Sequence, residues 1–275
     1  MSASDSISPT AHYTGYVWVR HGLSDPSLAT TEGRLLFESL HPIMRVSGAL
    51  GGPSLETYLL ARHRAIDLLL ARAIERGGVS QVLEVAAGLS PRGRRFAQCY
   101  GEQITYVEAD LPAMDARKRR ALEKLGTLGE HHRVHDLDAL RGSGPDSLVE
   151  LAGRLDRGRG LAIVTEGLLG YLSPESLDSL WRRFAATLSQ FPVGRYVSDL
   201  HLGSAQTLEV RAFRVVLSAF VRGRVYLHFS DAEQAAAQLR EAGFRTASVR
   251  PAARITGAAA DRGAHLAHIL EASTE

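Results

Sequence analysis

The spacing of apolar and polar positions changes character near residue 80. Before it the period is helical. Leu59, Leu60, Ile66, Leu69, Leu70 and Ile74 form one stripe over Leu55 to Arg76, stopped by Gly77 and Gly78. Residues 13–80 read as several such helices. From 81 onward short apolar runs alternate with amphipathic segments. Runs at 81–86, 104–109, 132–136, 161–166, 195–201, 245–250 and 265–271 predict seven strands. Helices are predicted between them over Pro112 to Leu125, Pro174 to Leu188 and Asp231 to Ala242. The last has Ser230 as its expected N-cap and Gly243 as its C-cap. Alternation of this kind predicts an α/β fold, a mostly parallel Rossmann-like sheet with helices on both faces.

The first strand ends in a small-residue turn, Ala86-Ala87-Gly88. The second ends in Glu108 and Asp110, about twenty residues after the glycine. Small residues let backbone approach a ligand, and an acid at the next strand end can accept hydrogen bonds from ribose hydroxyls. The turn departs from the dinucleotide fingerprint, because alanine stands at 86 where that pattern has glycine. Glu84 lies inside the strand, close to where a diphosphate would sit, and would repel it. The site therefore suits a nucleoside without phosphates, of which S-adenosylmethionine (SAM) is the common example. Glu84, Ala86, Gly88, Glu108 and Asp110 are the candidate cofactor-binding residues here, with Glu108 the reserve for Asp110. Seven strands with the nucleotide turn after the first match the SAM-methyltransferase variant of this architecture.

Composition narrows the partners. The chain has 275 residues, enough for one large domain with a real core. Its 32 basic and 30 acidic side chains leave no basic excess for nucleic acid. A single cysteine, Cys99, excludes intramolecular disulfides and cysteine-based metal sites. No apolar run has the length of a membrane span, and MSASDSISPT has no signal-peptide core, so a soluble cytoplasmic protein is expected. His131, His132 and His135 match no three-ligand spacing, and no metal is expected. Residues 1–12 are expected to be disordered and 13–275 to form one domain. Within it, residues 13–55 and the apolar, aromatic 203–228 segment are read as a cap over the substrate pocket, with extra core packing as the alternative. A homodimer is left open.

Four stretches, VLEVAAGLSPRGRRF, YVEADLPAMDARK, HDL at 135–137 and TEGLLGYLSPES at 165–176, together resemble the leucine carboxyl methyltransferase family over roughly residues 55–200. That family includes phosphatase-methylating enzymes and bacterial polyketide O-methyltransferases. The resemblance implies roles residue by residue. Arg62 would pair with the SAM carboxylate. The backbone at Ala86 and Gly88 would face the methionine and ribose. Asp110 would hold the ribose, and Asp136 with Leu137 the adenine. Glu166 would border the methionine, and Tyr171 the reacting centre. Two departures weaken substrate carry-over. Ala86 replaces a glycine, a small change if its φ is negative, and Ser90 stands where the family often has an aspartate.

Methyl transfer from SAM depends mainly on alignment and exclusion of water. A carboxylate acceptor needs no base, whereas a hydroxyl benefits from one. His201, at the end of the fifth strand, is the candidate base, and the reading leans slightly towards a hydroxyl of polyketide type. The expected function is thus SAM-dependent O-methylation of a small molecule, in secondary metabolism. The alternatives are a SAM-binding protein that does not methylate and a protein C-terminal carboxyl methyltransferase.

Overall fold

The computed structural model describes residues 9–49, 54–203, 226–257 and 264–275. Three helices come first: α1 (Pro9–Arg20), α2 (Thr31–Ala49) and α3 (Leu55–Arg76). Helix α1 begins inside the stretch expected to be disordered, so residues 9–12 are corrected to helix. The Ser54 side chain caps α3 by accepting the Thr57 N–H at 3.2 Å, and Gly77 ends it.

From there strands and helices alternate as β1 (Val79–Val85), α4 (Arg92–Tyr100), β2 (Thr105–Asp110), α5 (Pro112–Lys124), β3 (His132–Asp136), α6 (Leu148–Gly153), β4 (Gly160–Thr165), α7 (Pro174–Leu188) and β5 (Gly194–Leu200). The remainder is α8 (Ala232–Glu241), β6 (Thr246–Pro251), a short helix α9 (Ala252–Thr256) and β7 (His268–Ser273). The seven strands form one sheet in the order β3-β2-β1-β4-β5-β7-β6. Strands β1 to β5 pair in parallel, and β7 inserts antiparallel between β5 and β6.

Two apolar layers cover the sheet. Helices α1 to α3 pack Tyr13, Val17, Phe37, Ile66 and Leu70 against one face. Helices α6, α7 and α8 pack Leu151, Trp181, Phe184 and Leu239 against the other. The central strands β1 and β4 are buried on both faces, which explains their nearly unbroken apolar runs. After β1 the chain builds outward through β2 and β3, then returns so that β4 lies on the other side of β1. The crevice at that reversal, above the carboxyl ends of β1 and β4, is where open α/β sheets bind ligands.

One cap assignment shifts. Asp231, not Ser230, is the N-cap of α8, accepting the Gln234 N–H at 2.9 Å, and Gly243 follows Ala242 with φ +112°. Most of the expected 203–228 cap segment, residues 204–225, lies outside the described residues.

Candidate functional site

Strand β1 ends at Val85 and the chain turns through Ala86, Ala87 and Gly88. Ala86 has φ +55° and Gly88 φ +52°. Ala86 is the one non-glycine residue at positive φ among the described residues, so the condition of a negative φ is not met. A left-handed alanine costs about 1–2 kcal/mol, offset in part by its stiffer unfolded chain. Ala86→Gly is therefore expected to leave the melting temperature unchanged or slightly higher. Ala86→Val, which puts a β-branched side chain at this φ, should lower it by several degrees. Thermal unfolding followed by circular dichroism checks both.

Asp110 closes the turn from β2. Its Oδ2 accepts the Gly88 N–H at 2.7 Å and its Oδ1 accepts the Leu111 N–H at 2.7 Å. Burial pushes its carboxyl up, and these two donors oppose the rise. Each oxygen keeps a further lone pair for a ligand hydroxyl.

At the end of β4 the chain passes through Glu166 and Gly167. Arg62, on α3, donates from Nε to Glu166 Oε1 at 3.0 Å and from Nη1 to Asp199 Oδ2 at 3.2 Å. Asp199 Oδ1 accepts the Gly167 N–H at 2.6 Å. Burial disfavours ionised Glu166, but His63, Arg92 and Arg62 outweigh it and hold the carboxyl well below the usual range.

These groups open onto a cavity of about 370 Å³. Thr10, Ala11, Thr14 and Trp18 of α1 form one wall, and Leu111, Met114, Leu137 and Leu140 form an apolar wall. The Tyr171 hydroxyl donates to Thr10 Oγ1 at 3.0 Å and ties α1 to the 169–171 turn. Arg62 is the only basic residue in the described lining, against Asp110, Asp138 and Glu166. An apolar slot, an acid beside a bare backbone turn, and one guanidinium between acids fit a nucleoside that carries a short zwitterionic tail.

The structure thus brings Arg62, Ala86, Gly88, Asp110, Leu137, Glu166 and Tyr171 to one cavity. Four expected residues are elsewhere. Glu84 is buried below it, accepting from Arg92 Nη1 at 2.5 Å and from the Tyr106 hydroxyl at 2.8 Å. Glu108 is buried between Lys118 and His132, whose Nε2 lies 2.6 Å away. Gly93 makes the room: a Cβ there would stand 2.3 Å from Glu108 Oε1. Both acids are therefore structural ions rather than ligand contacts. Asp136 is exposed and faces Asp115. Burial pushes the Asp115 carboxyl up to about 6, and the charge of Asp136 adds to the rise while Arg119 opposes it. Asp138 takes the place beside Leu137 in the cavity lining. His201 also lies outside the described lining, with its Nε2 held 2.6 Å from the Tyr58 hydroxyl. The segment that follows it, residues 204–225, lies outside the described residues.

Sequence reasoning missed Trp18, Thr10, Thr14, Asp138 and Asp199. Asp199 had a readable signal, an acid near the carboxyl end of the fifth strand. Of the three clustered histidines, His132 serves Glu108, and no group of three potential ligands for a metal occurs among the described residues. No helix among them is long and apolar enough to cross a membrane.

The family model for leucine carboxyl methyltransferases matches residues 34–185, more than half of the chain. A protein of Mycolicibacterium paratuberculosis, provisionally named a SAM-dependent methyltransferase, is 36% identical over 122 residues, 44% of this chain and 38% of its own length. This chain spans 38% of the length of that relative and 55% of a similar protein of Mycobacterium bovis, so it covers about half or less of the curated relatives it matches. A crystal structure of a provisionally named methyltransferase from Thermobifida fusca aligns with TM-score 0.67 and 15% identity, covering 95% of this chain and 93% of its own. Human N-acetylserotonin methyltransferase, solved in complex with SAM, aligns with TM-score 0.53 and 12% identity over 95% of this chain and 66% of its own. At these identities the solved structures are alike in fold.

Proposed function

This chain belongs to the leucine carboxyl methyltransferase family, and from that premise we propose that it binds SAM in the cavity and methylates an oxygen of a small molecule. The observation that carries the reading is the clasp of Asp110 onto the Gly88 turn, at the sheet crevice and beside an apolar slot. Bound there, SAM supplies a methyl group already activated by its sulfonium. The protein's part is alignment and the exclusion of water.

Asp110 accepts from the ribose hydroxyls. Leu111, Met114 and Leu137 enclose the adenine. Arg62 takes the methionine carboxylate, since the described lining contains no other cation. Glu166, kept ionised by its basic neighbours, faces the positive end of the methionine. Helix α1 and Tyr171 close the cavity against bulk water.

The described lining contains no histidine, lysine or cysteine. For a neutral hydroxyl the base would have to be a lining carboxylate, and with Asp110 and Glu166 engaged by the Gly88 turn and by Arg62 only Asp138 is left for that task. A carboxylate is ionised at neutral pH and needs none, so the carboxylate is favoured over the hydroxyl. The rate on the true acceptor should be flat from about pH 6 to 8, and His201→Gln should stay within a few-fold of the parent. A rate that falls with acid through the histidine range, and is lost in His201→Gln, would restore the hydroxyl reading.

The test of function is incubation with methyl-labelled SAM and two panels, carboxylic acids and phenols, with a peptide bearing a free C-terminus in parallel. Labelled methyl ester from a small acid, with stoichiometric S-adenosylhomocysteine, is the expected result. Label on the peptide alone would assign a protein acceptor. No S-adenosylhomocysteine with any acceptor that binds would favour a protein that holds SAM without methylating.

A further inference from the structure

We propose that Asp199 is a positioning residue: one of its oxygens holds the Arg62 guanidinium directly and the other holds the Gly167 N–H, which together orient the guanidinium to receive the carboxylate of the methyl donor. The inference rests on the SAM reading of the cavity.

Arg62 has a long and flexible side chain, and an unrestrained guanidinium would lose rotamer freedom on binding. Here it is clamped on two edges. Glu166 takes Nε and Asp199 takes Nη1. The Arg62 carbon lies 5.9 Å from the Tyr58 ring centroid, and the Tyr58 hydroxyl is in turn held by His201. Bonds from two different nitrogens to two fixed carboxylates define the plane of the guanidinium, and without Asp199 only the Nε bond to Glu166 would remain of the pair. An arginine has five N–H donors. Glu166 and Asp199 account for two, and Tyr58 is a further partner. Donors remain for a ligand on the side that borders the cavity.

Asp199 does not line the cavity and is 3% exposed. It acts only through what it holds. One oxygen grips Arg62 and the other grips the Gly167 N–H, so the same carboxylate sets the guanidinium and the turn that ends β4. Gly167 completes the device. A Cβ at this position would lie 3.3 Å from Nη2 and 3.4 Å from Nη1, and the residue has φ +71°. Only glycine combines that backbone with room for the guanidinium against it.

Asp199→Asn keeps the shape and one acceptor but cannot accept from both Gly167 and Arg62 through oxygen. Gly167→Ala disturbs the same contact from the other side and serves if the first variant does not fold. Calorimetric affinities are compared for SAM, S-adenosylhomocysteine and decarboxylated SAM. Losing one hydrogen bond of a charged group predicts roughly tenfold weaker binding of the two ligands that carry the carboxylate. Decarboxylated SAM should stay within about twofold, well below the tenfold that one charged hydrogen bond represents. Melting temperature is recorded beside each measurement.

Equal losses for all three ligands would mean that Asp199 acts through the fold, and would overturn the proposal. So would a loss confined to the two sulfonium ligands, which would make Asp199 a counter-charge instead. Unchanged affinities in a parent chain that binds would remove this inference alone. A parent chain that binds none of the three removes the SAM reading and the inference with it.

Discussion

Replacing Arg92 by alanine should leave a chain that barely holds its fold at physiological temperature. The Arg92 side chain is fully buried at the start of α4 and answers three carboxylates from three elements. Nε donates to Asp67 at 2.6 Å, Nη1 to Glu84 at 2.5 Å and Nη2 to Glu166 at 2.6 Å. Removing one partner of a buried ion pair costs roughly 3–5 kcal/mol, because the other charge stays buried without compensation. That is a large share of the roughly 5–15 kcal/mol that holds an ordinary domain together. For a chain of this size a melting temperature lower by roughly 6–20 °C follows. Arg92→Lys should fall between the two, since one ammonium cannot span three acids in a fixed fork. Thermal or urea unfolding measures it. A variant that melts with the parent would show that the cluster relaxes or takes up water, and the view of Glu84 as a structural ion would have to be given up.

The second large effect is on binding. Asp110→Ala should fold but bind SAM and S-adenosylhomocysteine far more weakly. Hydrogen bonds to a charged acceptor contribute roughly 1.5–3 kcal/mol, so a loss of about 10- to 150-fold is expected. The turn also loses the acceptor for the Gly88 N–H. Glu108→Ala, two residues back on the same strand, should show the opposite pattern. It would leave Lys118 and His132 buried without their carboxylate, so stability should drop while any folded fraction keeps its affinity. Calorimetry together with melting curves separates the two variants. Normal affinity in Asp110→Ala would mean that the ribose sits elsewhere.

The contrast between these two acids shows what could be read before the structure. Period and punctuation placed the framework. Helices α3 and α7 run from Leu55 to Arg76 and from Pro174 to Leu188, with a serine before each and a stop after it. Strand ends then located the crevice. Ala86, Gly88, Asp110, Leu137 and Glu166 reach the cavity because each stands at or just beyond the carboxyl end of a parallel strand, which is a property of chain position. Strand β7 is displaced because a short 3₁₀ turn precedes it, a local choice that no apolar period announces.

Interior charges were not legible in the same way. Whether an acid faces a ligand or a buried base depends on partners brought in by other elements. Glu84 meets an arginine from α4, and Glu108 meets a lysine from α5 and a histidine from β3. His201 and Asp199 stand two residues apart near the end of β5, and either could have been the functional one. Only packing against α3 shows that Asp199 grips Arg62, while His201 is held by Tyr58 one helical turn earlier. Asp136 was misplaced for a different reason. The cavity wall is made by the loop after β3, so the useful positions begin at Leu137 and continue through Leu140.

Titration calorimetry of the purified chain with SAM, repeated with S-adenosylhomocysteine, tests the central claim most directly. The account predicts saturable binding at one site per chain for both ligands, a raised melting temperature in their presence, and an affinity about 10- to 150-fold weaker with a correspondingly smaller thermal shift in Asp110→Ala. No heat and no thermal shift with either ligand at millimolar concentration, from a chain shown to be folded, would contradict it.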